Sequence, residues 1–391
     1  MIYQKQYPSR HTHHFWESLY HALLLIGEWI RKNAVLSIAF VAAVATSCMV
    51  PPDTAYLSYL DFKTLTCLFC VLAVVCALKN IRFFTILARK IVDCTGNLRM
   101  ASIALVYITF IGSMLIANDM ALLTFLPLGF FVLSSTGKEK YMAFVFIMQN
   151  IAANLGGMLT PFGNPQNLYL YTKFAIPTGE FMRIMLLPFL ASIALITVCC
   201  LFLPKDTLSI REECPYKLKP KRTILYLILF ALSIIIVFRV IPYQIGLIVI
   251  PLVLFFVDRQ ALRAVDYPLL LTFVCFFIFA GNMARIPAVS HLFSSLLEKN
   301  TLIFSVLSCQ VISNVPSAIL LSQFTTDYQS LLLGVNIGGT GTLIASLASL
   351  ITFRQYTEHN PGKAGKYILL FSAFNFGFMI LLTVLASFLI R

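Results

Sequence analysis

The chain has 391 residues, of which 59% are hydrophobic and 12% are charged, and its formal net charge is +13. Soluble domains carry roughly 25% charged residues, so this composition argues against a soluble protein and predicts a polytopic membrane protein built from α-helices. The apolar runs do not alternate with polar residues, which argues against a β-barrel. The basic residues lie in short loops between these runs, so we expect them to reflect membrane topology and not nucleic-acid binding.

The predicted elements begin with an amphipathic helix within residues 1–32 that lies along the membrane interface. Long apolar spans follow at Asn33–Val50, Thr64–Leu78, Tyr141–Tyr171, Phe181–Leu203, Thr223–Val240, Ile245–Val257, Tyr267–Gly281, Leu331–Phe353 and Tyr367–Ile390. Two further regions, Leu98–Ser134 and Thr301–Thr325, are interrupted near their centres by polar residues, and we predict that both are re-entrant hairpins. In total we expect about nine to eleven transmembrane helices.

The distribution of positive charge supports this threading. If the N-terminus is cytoplasmic, 22 of the 29 lysine and arginine residues fall on the cytoplasmic side. The seven residues outside are Lys63, Lys173, Arg183, Arg239, Arg285, Lys299 and Arg391. Cytoplasmic loops of membrane proteins carry such an excess, whereas treating the first hairpin as a single crossing would reverse every later loop. We therefore predict an integral protein of the plasma or inner membrane with its N-terminus in the cytoplasm.

The chain divides into two halves with the same order of elements. Residues 33–203 and 223–391 each contain two spans, a surface helix, a hairpin, a broken span and a closing span. A basic cytoplasmic linker, residues 204–222, joins the halves, and the extra crossing Thr223–Val240 turns the second half upside down. Inverted repeats whose discontinuous helices meet near the membrane midplane are a common design of secondary transporters.

Local sequence supports the repeat. The string IANDMALLTFLPL, which begins at Ile116, parallels ISNVPSAILLSQF, which begins at Ile312. Similarly, NLGGMLT, which begins at Asn154, parallels NIGGTGT, which begins at Asn336. The first pair falls at the predicted hairpin tips (hairpins 98–134 and 301–325), and the second pair falls in the predicted broken helices (141–171 and 331–353).

Glycine, proline and asparagine interrupt the first broken helix between Asn154 and Leu168. Unwound backbone at membrane depth is tolerated where it is buried in protein or lines a wet cavity. Its free carbonyl groups suit a cation, whereas free N–H groups and helix N-termini suit an anion. The alternative is that paired glycines pack helices and prolines kink them without any ligand. The candidate binding residues here are Thr160, Gly163, Asn164, Pro165 and Asn167.

Asp119 is the sharpest single indication of a site. It is the only acidic residue between Asp93 and Glu139, and with Asn118 it forms the tip of the first hairpin. An ionisable group at that depth is costly and usually functional, although a buried structural aspartate is the alternative. It would bind sodium as a carboxylate or carry a proton.

The second half offers a matching but uncharged set of residues. The candidates are Ser313, Asn314, Pro316, Ser317, Asn336, Gly338, Gly339, Thr340 and Thr342. Val315 occupies the position that corresponds to Asp119. The two half-sites are therefore not equivalent, and we expect a charged coupling site in the first half and a neutral site in the second.

The strings NDMALLTFLPL, GGMLTPFGNPQNL and SNVPSAIL…GVNIGGTGT resemble the hairpin tips and broken helices of the ion transporter superfamily. The nearest resemblance is to arsenite permeases and NhaD-type antiporters, with citrate transporters and divalent-anion/sodium symporters as more distant members. It implies an inverted-repeat fold that encloses substrate and cation sites, elevator-type movement and, often, a homodimer. Carried over by position, the resemblance also implies a possible sodium site near Asn118, Asp119, Gly163 and Asn164. The first tip has Asn-Asp where the symporters often have Ser-Asn-Thr, so coupling to two sodium ions is not implied.

The leading hypothesis is a secondary active transporter of a small inorganic or organic anion, coupled to sodium or protons. Its predicted partners are this anion and the lipid bilayer, with no nucleic acid. Sodium/proton antiport without an anion is the alternative, because no basic residue lies near the predicted midplane. A membrane enzyme is disfavoured, since the sequence lacks paired intramembrane aspartates and an H-E-x-x-H motif. A channel fits the paired hairpins poorly. No resident cofactor is predicted apart from the coupling ion.

Overall fold

The computed structural model describes residues 33–93, 95–208 and 218–390, together with residues 27, 28 and 30. The predicted N-terminal interfacial helix lies almost wholly outside the described residues, as does the centre of the predicted linker. Within the described ranges the chain is helical nearly throughout.

The helices longer than seven residues in these ranges are α1 (Ala34–Met49), α2 (Phe62–Asn80), α3 (Phe83–Asp93), α4 (Leu98–Ile116), α5 (Asn118–Ser135), α6 (Met142–Gly156), α7 (Pro165–Lys173), α8 (Thr178–Leu201), α9 (Pro220–Val237), α10 (Tyr243–Val257), α11 (Tyr267–Ala284), α12 (Pro287–Ile312), α13 (Asn314–Leu321), α14 (Tyr328–Ile337), α15 (Leu347–His359) and α16 (Ala364–Leu389). Each predicted span therefore corresponds to one helix or to a broken pair. The two amphipathic stretches correspond to α3 and to the first part of α12.

Seven of the described helices are long and apolar enough to cross a membrane, namely α2, α4, α5, α8, α9, α11 and α16. Helices α1 and α10 are apolar but shorter. About 20 apolar residues in a helix match the thickness of the hydrocarbon core, and a helix satisfies its own backbone hydrogen bonds there. The protein is thus an all-α polytopic membrane protein, as predicted from its composition.

The first interrupted region folds back on itself. Helices α4 and α5 meet at Ala117, whose φ of 65° and ψ of 151° reverse the chain. Gln149 of α6 donates from Nε2 to the Thr109 hydroxyl at 3.0 Å and to the Phe125 carbonyl at 3.2 Å. These two residues lie eight positions on either side of Ala117. The arms therefore run side by side in opposite directions, as in a hairpin.

The second interrupted region has the same construction. Helices α12 and α13 meet at Ser313, with φ of 72° and ψ of 160°, and the Ser308 and Ser317 hydroxyls lie 3.0 Å apart across the arms. Asn300 breaks the helical dihedral angles inside α12, and its Oδ1 accepts from the N–H of Ile303 at 2.9 Å. Asn300 thus separates the amphipathic part of α12 from the hairpin arm.

The two broken helices pack reciprocally with the hairpins. Residues 157–164 separate α6 from α7, and residues 338–346 separate α14 from α15. Helix α7 packs against α13 of the other half, and α15 packs against α5. This exchange brings both breaks towards both hairpin tips. The inverted orientation of the halves and the membrane face to which each hairpin opens remain predictions.

Candidate functional site

The two hairpin tips share one local geometry. After the residue with positive φ, Asn118 accepts a hydrogen bond at Oδ1 from the N–H of Asp119 at 3.0 Å. Asn314 accepts in the same way from Val315 at 2.9 Å. Each asparagine thereby satisfies an N–H group that the helix start leaves unpaired. The two tips therefore share one backbone geometry and differ chemically at Asp119 and Val315.

Each first half-helix ends near an asparagine that reaches the other half of the chain. The side chains of Asn154 and Asn336 both donate to the carbonyl four residues earlier, at 3.2 Å and 2.8 Å. Ser346 donates from its hydroxyl to Asn154 Oδ1 at 2.8 Å, and Asn164 donates from Nδ2 to Asn336 Oδ1 at 3.3 Å. Ser346 and Asn164 are the N-cap residues of α15 and α7. A reciprocal pair of hydrogen bonds therefore ties the two broken helices together.

One hairpin tip contacts the end of the second break, and the other is linked to it through Asn154. Asn118 donates from Nδ2 to Asn154 Oδ1 at 3.1 Å, the same atom that accepts from Ser346. The backbone N–H of Asn314 donates to the carbonyl of Ala345 at 2.9 Å. Asn118 and Asn314 are each only 3% exposed. The second tip thus contacts Ala345 directly, and the first tip is linked to the adjacent Ser346 through Asn154, so that a buried polar region lies between the tips.

Three buried oxygen atoms in the first half of this region have no hydrogen-bond partner. They are Asp119 Oδ1, Asn164 Oδ1 and Gln166 Oε1. The amide nitrogen of Gln166 donates to Asn336 Oδ1 at 3.4 Å, so its oxygen points away from that bond. An acceptor left unpaired in a buried site costs free energy, and a cation or a hydrogen-bond donor would satisfy it.

The second half lacks such free acceptors at the equivalent positions. The sequence parallel that pairs Asn154 with Asn336 continues without a gap, so Asn164 corresponds to Ser346 and Gln166 to Ala348. The Ser346 hydroxyl donates to Asn154 and also accepts from the N–H of Ala348 at 3.2 Å. The predicted asymmetry between a charged and a neutral half therefore extends beyond the hairpin tips.

The carbonyl groups of the first break are not free. Asn167 donates from Nδ2 to the carbonyls of Gly157 at 3.1 Å, Met158 at 3.2 Å and Thr160 at 3.4 Å. Its Oδ1 accepts from Asn336 Nδ2 at 2.6 Å. The sequence predicts Asn167 as a binding residue, whereas in the structure its amide closes the break and links it to the other half.

The side-chain amide of Gln310 donates to backbone carbonyls of the second break, as Asn167 does in the first. Its Nε2 donates to the carbonyls of Gly338 at 2.9 Å and Thr340 at 3.3 Å, and its Oε1 accepts from the N–H of Thr342 at 2.9 Å. Sequence reasoning missed this residue. A signal was present, because Gln310 is an isolated amide in an apolar hairpin arm three residues before the tip at Ser313.

Two of the three predicted threonines at the breaks have matching roles. Thr160 donates from Oγ1 to the carbonyl of Met114 at 2.8 Å, and Thr342 donates to the carbonyl of Gln310 at 3.1 Å. Met114 and Gln310 occupy equivalent positions in the two hairpins. Each threonine therefore fastens a break to the first arm of its own hairpin.

Several other predicted residues make local contacts. Gly163 donates its N–H to the Thr160 carbonyl at 3.2 Å, and Pro165 is the first residue of α7. A Cβ on Gly338 would lie 2.9 Å from Cys309, which indicates close helix packing. Thr340 donates to the carbonyl of Ile337 at 2.6 Å.

The remaining candidates lie at or beside the second tip. The Ser313 hydroxyl donates to the Ala345 carbonyl at 3.3 Å, and a Cβ on Gly339 would lie 3.0 Å from Asn314 Nδ2. Pro316 is in the first turn of α13, and Ser317 bonds within the hairpin. Many residues of the polar region are thus among the predicted candidates, but sequence reasoning missed Asn154, Gln166, Gln310 and Ser346.

Arg285, a basic residue that could bind an anion, lies outside this region. Arg285 forms a two-pronged ion pair with Asp53, with N–O distances of 3.1 Å and 2.8 Å, and donates to the Tyr59 hydroxyl at 3.0 Å. The hydrogen bond from Arg285 holds the pKa of Asp53 below its usual value. Arg285 is thus engaged in a surface ion pair. The described residues also contain no cluster of three or more His, Cys, Asp or Glu side chains that could hold a metal ion.

Comparison with known proteins identifies the family. The family model for citrate transporters matches residues 22–330, which include both hairpin tips and the first break. The chain belongs to the citrate transporter family. It is 31% identical over 311 residues to an uncharacterized transporter of Methanocaldococcus jannaschii, covering 79% of this chain and 85% of the relative. It is 28% identical over 286 residues to the inner membrane protein YbiR of Escherichia coli, covering 71% and 75%.

Membership in this family confirms the predicted resemblance to the ion transporter superfamily. The protein is an integral membrane transporter, and the family together with the name of the archaeal relative points away from an enzyme. The polar region between the hairpin tips is the candidate transport site.

Proposed function

We propose that this transporter is a secondary active transporter that moves a small inorganic or organic anion together with sodium ions or protons. One observation carries the proposal: the second hairpin tip contacts Ala345, and the first hairpin tip shares the acceptor Asn154 Oδ1 with the adjacent residue, Ser346. An ion held there is surrounded by non-helical backbone and buried amides from both halves. Secondary transporters bind substrates and coupling ions at such breaks near the membrane midplane.

Electrostatics supports coupling to a cation. No lysine or arginine side chain is buried among the described residues. Positive potential for a buried anion therefore comes from helix N-termini, each equivalent to roughly half a charge. Helices α5, α7 and α13 begin at the site, and their N-cap residues make no side-chain capping bond. A co-transported cation would offset the rest of the anion's charge.

The first half is the better place for that cation. Asp119, Asn164 and Gln166 supply one carboxylate and two amide oxygens that lack partners. Oxygen ligands of this kind suit sodium, and a carboxylate alone suits a proton. We propose that Asp119 is the coupling residue and that the substrate anion lies towards Asn314 in the second half.

A second candidate function is sodium/proton antiport without an anion. It is favoured by the same free acceptors and by the lack of buried basic side chains among the described residues. Vesicles that contain only the purified protein would distinguish the two. Sodium efflux driven by a pH gradient, in a medium without transportable anions, supports antiport. Anion accumulation that requires an inward cation gradient supports symport.

The proposal is tested by uptake into vesicles, with citrate, smaller carboxylates and inorganic oxyanions offered in turn under sodium and pH gradients. We expect Asp119→Asn to abolish gradient-driven accumulation while the protein keeps its expression and fold, because Asp119 Oδ1 makes no hydrogen bond to lose. Asp53→Asn is the control, since Asp53 is an exposed aspartate outside the polar region between the tips. Unchanged accumulation in Asp119→Asn would refute the coupling role.

A further test concerns substrate affinity. We expect Asn164→Ala and Asn314→Ala each to raise the half-saturating anion concentration, because each removes an amide that faces the region between the tips. Wild-type affinity in both variants would mean that the breaks are packing devices. Elevator-type movement of the hairpins, a homodimer and a cytoplasmic N-terminus are part of the proposal and follow from the family resemblance and the charge distribution.

A further inference from the structure

In each break, one side-chain amide nitrogen lies among three backbone carbonyl oxygens. In the second break, Gln310 Nε2 lies 3.0 Å from the carbonyl of Val306, 2.9 Å from that of Gly338 and 3.3 Å from that of Thr340. In the first break, Asn167 Nδ2 has three carbonyl oxygens at 3.1–3.4 Å. These are hydrogen-bond distances.

Carbonyl oxygens that converge on one point in an unwound membrane helix are an arrangement for coordinating cations. Here an amide nitrogen occupies that point. Its two hydrogens carry partial positive charge, but the amide group has no net charge. The amide therefore satisfies the carbonyls electrostatically without adding an ion. Because the amide nitrogen occupies the point on which these oxygens converge, a sodium ion cannot be coordinated by them there.

The two halves reach this arrangement from different sequence positions. Gln310 belongs to the first arm of its hairpin, and its counterpart in the first half is Met114, which cannot donate. Asn167 belongs to the second half-helix, and its counterpart is Ser349, whose hydroxyl accepts from Asn150 at 3.3 Å. Repeat symmetry therefore does not explain the amides. Each break independently acquires a donor for its carbonyls.

The surroundings of Gln310 fit this side chain closely. Gly341 has a φ of +120°, and a Cβ there would lie 2.1 Å from Gln310 Oε1. Thr342 donates its N–H to the same oxygen and its hydroxyl to the Gln310 carbonyl. Both ends of the amide are thus fixed, and a glycine leaves space for it.

We propose that Gln310 is a built-in substitute for a cation in the second break. It saturates the carbonyls of Gly338 and Thr340, so this half binds no coupling cation, and the coupling cation is confined to the side-chain oxygens of the first half. This role rests on the proposed transport function and deepens it, because it limits the coupling cation to one half-site. Gln310 is a positioning residue, because it acts by holding the carbonyls of the second break and not by contacting the substrate.

Substitutions at Gln310 separate this role from simple packing. Gln310→Glu keeps the shape but presents carboxylate oxygens to three carbonyls, and Gln310→Lys presents a tethered cation on a longer side chain. A packing role predicts that glutamate is tolerated better than lysine. The proposed role predicts the opposite order in the thermal midpoint of the purified protein in lipid nanodiscs, and a glutamate variant as stable as the wild type overturns it.

Gln310→Ala vacates the three-carbonyl cage. Ammonium donates N–H groups at the same distances as an amide. We therefore expect the thermal midpoint of this variant to be about 3 °C higher in ammonium than in choline at equal ionic strength. Such a shift corresponds to about 1 kcal/mol in a domain of a few hundred residues. The wild type should not respond. Equal midpoints in the two salts for Gln310→Ala overturn the proposal, and the lysine variant keeps the test valid if the alanine variant does not fold.

Uptake measurements distinguish failure of this inference from failure of the proposed function. In the wild type we expect anion uptake to depend on the cation concentration with a Hill coefficient near 1. In Gln310→Ala we expect ammonium or potassium to restore anion uptake. Uptake that requires two cations per cycle overturns the inference and leaves transport intact. Correct midpoint responses without uptake of any anion leave the inference intact and overturn the transport proposal.

Discussion

Asn336→Ala tests whether the hydrogen bonds between the halves hold the site together. Asn336 accepts from Gln166 and Asn164 and donates to Asn167 Oδ1. Asn164 retains a bond to the carbonyl of Asn154 at 3.2 Å, so the alanine variant leaves two groups without these partners, the Gln166 amide and the Asn167 oxygen. Buried groups left in this way cost about 1–3 kcal/mol each in water-soluble proteins and average about 0.6 kcal/mol in membrane helices. We expect a loss of about 1–3 kcal/mol.

The assay is reversible unfolding of the purified protein in mixed micelles, with a double-mutant cycle that combines Asn336→Ala and Gln166→Ala. The cycle isolates the bond between the halves, and we expect an interaction energy of about 0.5–1.5 kcal/mol. Asn80→Ala is the control, because Asn80 is exposed and its hydrogen bonds to Asp258 are at the surface. A cost for Asn336→Ala no larger than for Asn80→Ala, or strict additivity in the cycle, contradicts the reasoning.

Two further predictions concern packing and pH. Gly156→Ala should destabilise the protein by about 1–3 kcal/mol, since the new Cβ would lie 2.3 Å from a backbone oxygen of α4, whereas Gly179→Ala, with no atom within 4 Å, should be neutral in the same unfolding assay. The lowered pKa of Asp53 means that its bond to Arg285 stabilises the fold above about pH 4 and is lost as pH falls through the lowered pKa. Asp53→Asn should therefore reduce the dependence of the thermal midpoint on pH in that acidic range, and an unchanged dependence contradicts the assignment.

The sequence predicted the helices because the bilayer imposes simple rules on length and composition. An apolar span needs about 20 residues, and it ends where charge or a helix breaker appears. The predicted span Asn33–Val50 became α1, and both breaks begin within the two glycine-rich strings. The side of each loop was predicted from lysine and arginine counts, which depend on the membrane and not on the fold, so that prediction still awaits a topology experiment.

The partners of the polar side chains were not predictable from the sequence. Asn167 was predicted as a ligand because it follows the first break, but its amide binds carbonyls within that break. Gln310 was missed because a single amide in an apolar helix has no periodic pattern to reveal it. Hydrogen bonds between residues over a hundred positions apart, such as Ser346 to Asn154, depend on how the halves pack.

The polar atoms available for ion binding are those that the fold does not use to hydrogen-bond the backbone of the broken helices. A broken helix in lipid must find partners for every carbonyl and N–H group that leaves the helix, since none can come from the hydrocarbon. In this chain Asn167, Gln310 and the tip asparagines meet that requirement. Polar atoms left over after this requirement are free to bind an ion. Because those atoms include Asp119 Oδ1 and Gln166 Oε1 of the first half, and their counterparts in the second half are valine and alanine, we propose a single place for a cation despite the similar backbone of the two breaks.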